Sequence, residues 1–80
     1  MMTSGIALNN ARQLAEVTAY DLWLRYFALG GTASRADLGA LLRGEVEFGA
    51  DQYDVVAHAL NERFAELEMD HPVPYAGDEN

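Results

Sequence analysis

His58 and Glu62 lie four residues apart, and Asp54 precedes His58 by the same step. On a helix that spacing puts three possible metal ligands in one row. Structural metal sites draw mainly on nitrogen and sulfur donors, however, and the chain has no cysteine and no HExxH pattern. The row also falls beside the apolar stripe rather than on it, as a solvated polar face does. Glu62 and Glu66 form a second pair, and two nearby carboxylates can serve as acid and base. That chemistry needs a dry pocket to separate their pKa values. A helical chain of 80 residues has little room for one. Serine and threonine occur only at Thr3, Ser4, Thr18, Thr32 and Ser34, with no local triad pattern. No glycine-rich loop follows a strand, so a phosphate cradle is not expected either. The residues therefore point to a non-enzymatic protein with no cofactor and no metal.

Charge narrows the class of partner. The net charge of −8 is unevenly placed: residues 1–40 carry three basic and three acidic side chains, and residues 41–80 carry Arg43 and Arg63 against ten acids. Phosphate binding relies on Lys and Arg, so nucleic acid and anionic membrane are disfavoured partners. No apolar run approaches a membrane span, and "MMTSGIALNN" lacks a signal peptide's basic start and long apolar core. A cytoplasmic protein is the expectation. All five basic residues are arginine, and alanine and glycine are frequent, as in a GC-rich, bacterial-type coding sequence.

The elements that must carry these residues read as helices. From about Asn10 to Leu29 the chain is rich in Ala and Leu, without Pro or internal Gly, and the pattern predicts one long helix stopped by Gly30-Gly31. "SRAD" at Ser34 resembles a capping box and opens a short helix with Leu38, Leu41 and Leu42 inward and Gly44 as its stop. "EVEFG", residues 45–49, reads as an extended linker tucking Val46 and Phe48 inward. A second long helix runs from about Asp51, its expected N-cap, to Glu68. Its stripe is Tyr53, Val56, Leu60, Phe64 and Leu67. His71-Pro72 ends it. The fold class is all-α: a small three-helix bundle, long–short–long, in a single domain over residues 1–71. An extended, partly disordered acidic tail follows over residues 72–80.

The richest stretch is "YDLWLRYFALGG", residues 20–31, with half of the chain's aromatic residues. At 100° per residue it has two opposed apolar stripes. One is Val17, Tyr20, Leu24 and Phe27. The other is Ala15, Ala19, Leu22, Tyr26 and Leu29, with Trp23 in a gap between them. A helix apolar on most sides is buried on most sides, so Trp23 lies beneath the "HPVPY" segment or against another molecule. Small domains lack covering material, and Trp and Tyr are favoured interface anchors. The expected interface is Ala15, Ala19, Leu22, Trp23, Tyr26 and Leu29, joining a homodimer or binding another protein. Glu62, Glu66, Glu68 and Asp70 crowd the end of the last helix, where the dipole prefers cations, and form a possible docking patch for a basic partner. The alternative function is DNA-associated transcription regulation, because "GGTASRADLGALLRGEV" loosely resembles the start of a helix-turn-helix. The helix that would then enter DNA has one Arg and four acids over residues 51–67, which suits base recognition poorly.

Overall fold

A Thr18 side chain decides the first half of the molecule. Its hydroxyl accepts the Asp21 N–H at 3.0 Å and so starts a helix inside the stretch expected to be continuous. The computed structural model describes residues 5–68 and residue 73. These contain four helices and no strand: α1 (Gly5–Leu14), α2 (Ala19–Ala28), α3 (Arg35–Leu42) and α4 (Ala50–Glu66). The expected three-helix bundle is thus corrected to four helices. The long first helix is two, and helical structure begins at Gly5, well before Asn10.

The break between α1 and α2 has a clear geometry. Glu16 adopts φ 59. Its N–H donates to the Gln13 carbonyl, and the Val17 N–H donates to the Arg12 carbonyl. This is a Schellman ending with a glutamate in the left-handed position that glycine usually fills. α2 and α3 end in the same way, with Gly30 (φ 98) and Gly44 (φ 78) in that position. Glu68 (φ 56) turns the chain after α4. Arg12 reinforces the first break by donating to the Val17 carbonyl at 2.8 Å, and Arg63 in α4 donates to the Ala15 carbonyl at 3.0 Å.

α4 packs against α2 and α1, and α3 packs against the same two helices. The amphipathic stripe of α4 behaves as its spacing predicts: Tyr53, Val56, Leu60 and Phe64 are buried, with Leu67 half-buried at the end. Its N-cap is Gly49 rather than Asp51, which lies inside the first turn. α1 approaches α3 so closely that a Cβ on Gly5 would lie 1.8 Å from the Leu41 carbonyl oxygen. In the linker, Phe48 turns inward beside Tyr26, with ring centroids 6.3 Å apart, whereas Val46 remains exposed. No helix among the described residues is long and apolar enough to cross a membrane.

Candidate functional site

The two stripes of α2 part company in the fold. Leu22 and Tyr26 are fully buried, facing α4 and α3. The opposite side keeps Tyr20 at 48%, Leu24 at 43% and Phe27 at 59% exposed. The interface expected from the sequence is corrected accordingly. Ala15, Leu22 and Tyr26 belong to the chain's own core, so no second molecule can reach them. Ala19 is exposed at the start of α2, and Leu29 lies at the margin with 37% exposure. The reversal follows from the break at Glu16. A short α2 can turn its Leu22–Tyr26 side wholly toward α3 and α4, which leaves the larger aromatic stripe outside.

A hydrogen-bond network fixes that orientation. The Tyr26 hydroxyl donates to Gln52 Oε1 at 2.5 Å and accepts the Thr32 and Ala33 N–H groups at 3.1 and 2.8 Å. Gln52 Oε1 also accepts the Thr32 N–H at 3.0 Å. Gly31 makes room for this ring, since a Cβ there would meet it at 2.2 Å. The turn held in this way presents the Ala33 carbonyl, which accepts the Trp23 Nε1–H at 3.1 Å.

Trp23 is consequently half-buried, packed on the core at one edge and on the outer stripe at the other. Its ring stacks at 25° on both neighbours, with centroids 6.4 Å from Tyr20 and 5.3 Å from Phe27. Tyr20, Trp23 and Phe27 form a continuous aromatic ladder at steps of three and four residues, with Leu24 beside it. The Arg35 guanidinium lies 5.2 Å from the Tyr20 ring centroid, a cation–π contact at the edge of the ladder.

Comparison with protein-family models, with curated proteins and with solved structures finds no match. What the surface can do therefore rests on its own chemistry.

The acidic residues of α4 are partly engaged. Glu66 accepts two hydrogen bonds from Arg25, both at 2.8 Å, and a longer contact from Arg63 at 3.4 Å. The hydrogen bond from Arg25 holds the Glu66 carboxyl below its ordinary value, and the same contact raises the Arg25 guanidinium. Glu62 sits 3.8 Å from His58. Glu62 and Glu68 are exposed, and Asp70 lies outside the described residues. The expected docking patch is narrowed, because Glu66 is occupied within the chain. Asp54 and His58 line an open groove of about 430 Å³ with Leu29 and Val55. Among the described residues, no three His, Asp or Glu side chains are grouped closely enough to hold a metal ion.

Proposed function

We propose that this chain is a non-enzymatic interaction module that self-associates through the outer face of α2, with Tyr20, Trp23, Leu24 and Phe27 as the contact. The observation that carries the reading is the stacked aromatic ladder left outside a core that α2 already completes on its other side. A buried aromatic covers about 150–250 Å², so Tyr20 and Phe27, each near half exposure, leave about 75–150 Å² apiece for a partner. Leu24 and the outer edge of Trp23 bring the patch to roughly 300 Å², a size that on monomers is often functional.

The charge distribution favours a second copy as the occupant. The half of the sequence that carries α2 is neutral, and the acidic half carries the whole −8. Pairing through α2 joins neutral surfaces and leaves the acidic α4 to solvent, whereas nucleic acid would meet repulsion. A standard interface buries about 800 Å² per partner, so the pairing is expected to be weak and concentration-dependent. The DNA-associated alternative gains no observation in its favour. The buried side of α4 is spent on the core, and its outward side carries Asp51, His58, Glu62 and Glu66.

Sedimentation velocity over a wide concentration range tests the reading, with wild type compared to Phe27→Glu. The expected result is a mass that rises with concentration in wild type and stays monomeric in the variant, with equal helicity. A wild type that remains monomeric at millimolar concentration refutes self-association.

A further inference from the structure

Val73 is held from three directions. Its N–H donates to Asn61 Oδ1 at 2.6 Å, and Asn61 Nδ2 donates to the Val73 carbonyl at 3.1 Å. Its side chain is 9% exposed and joins the core cluster. A side-chain amide that satisfies both backbone groups of one residue acts as a neighbouring strand would: it recognises extended backbone, and the apolar slot behind it selects the side chain. The sequence around Val73 suits such a site. Pro72 and Pro74 have no N–H, so Val73 carries the one backbone donor of that triplet. A residue before proline is also biased toward the extended conformation, so the segment loses little entropy on docking.

Chain length favours an occupant from the same molecule. Asn61 lies six residues before Leu67, about 9 Å back along the helix axis. The four residues between Glu68 and Val73 can span about 16 Å when extended, enough for Val73 to reach Asn61 from the end of α4. We infer that Asn61 and the apolar core behind it form a binding site for a proline-flanked valine, filled by this chain's own Val73 and able to release it. The site lies on α4 and does not depend on self-association through α2.

Amide exchange and NMR on the full-length ¹⁵N-labelled chain test this. In wild type the Val73 amide is protected, and Asn61→Ala should lower that protection by about tenfold while leaving the Leu22 amide protected. The Val73→Asp chain should have an open site. A capped peptide of residues 71–75 (HPVPY) at millimolar concentration should then shift the Asn61 side-chain amide resonances, and the same peptide with Asp for Val should not. Wild type should respond less, because a short tether holds its own segment at an effective concentration of about millimolar. Equal Val73 exchange in wild type and Asn61→Ala overturns the inference, as does a folded Val73→Asp chain whose Asn61 amide ignores the peptide. Should Val73→Asp fail to fold by circular dichroism, the Asn61→Ala exchange comparison decides alone.

Discussion

Removing one oxygen atom tests how the α2 surface is held in place. In Tyr26→Phe the ring still fills its buried site beside Gly31, but the hydroxyl is lost. The Thr32 N–H keeps Gln52 Oε1 as a partner at 3.0 Å, whereas the Ala33 N–H loses its 2.8 Å acceptor and Gln52 Oε1 loses one of its two donors. A net hydrogen bond contributes about 1 kcal/mol, and a buried donor left unpaired costs about 1–3 kcal/mol. Ala33 is half-buried and partly open to water, which places its share at the low end. The sum is about 2 kcal/mol, a large fraction of the roughly 4–12 kcal/mol expected for a domain of this size. At 4–8 °C per kcal/mol for small domains, the melting temperature should fall by about 8–16 °C. Urea unfolding followed by circular dichroism gives the free energy, and Trp23 fluorescence reports the turn, because the Ala33 carbonyl binds the indole N–H. A loss below about 0.5 kcal/mol with an unchanged Trp23 spectrum would refute the claim that this network positions the outer face.

Three further outcomes follow from the geometry. Glu16→Gly should raise stability by about 0.5–1 kcal/mol: the left-handed conformation costs a side chain about 1–2 kcal/mol, and the greater unfolded-state freedom of glycine returns part of the gain. Chemical denaturation checks this, and a destabilised variant contradicts it. Gly31→Ala should cost at least about 2 kcal/mol, because the new methyl would meet a fully buried Tyr26 ring; thermal melting reads it, and a neutral effect would mean that the ring can move aside. Arg25 depresses the folded-state pKa of Glu66, so the contribution of Glu66 is present above the ordinary glutamate value of 4.5 and is lost as pH falls through the lower folded-state value. Between about pH 5 and pH 3, wild type should lose more stability than Glu66→Gln, and parallel curves in urea titrations would show that the ion pair contributes nothing.

Much of the helix architecture was legible because it rests on side chains with strong local preferences. Gly30 and Gly44 fill left-handed positions at helix ends, Ser34 caps α3 through the Asp37 N–H at 3.1 Å, and the stripe of α4 is buried as spaced. The break at residues 15–18 was not legible for the complementary reason. Its left-handed residue is Glu16, which carries no turn signature, and the Thr18–Asp21 cap is buried in a run that otherwise favours helix. Tertiary contacts hold it, through Arg63 on the Ala15 carbonyl, and a local pattern does not contain those. The inward face of α2 was missed for a related reason. Both stripes are apolar, and the choice between them depends on the Tyr26 hydroxyl network and on the space at Gly31. The second glycine of the pair was the available clue: the left-handed turn requires only Gly30.

The same contacts decide which substitution separates folding from association. Trp23 is the conspicuous residue, yet it packs on the core and binds the Ala33 carbonyl, so replacing it disturbs the turn and the outer face together. Tyr20 carries the Arg35 contact and therefore couples the start of α3 to the ladder. Phe27 stacks only on Trp23 among the described ring contacts and is 59% exposed. A charge at Phe27 removes the most exposed ring of the docking surface while sparing the core, and substitutions at exposed positions usually change stability by no more than about 0.5 kcal/mol. Loss of self-association in Phe27→Glu with unchanged unfolding energy would place the effect on the surface, whereas a matching loss of stability would mean that the aromatic ladder serves the monomer's own fold.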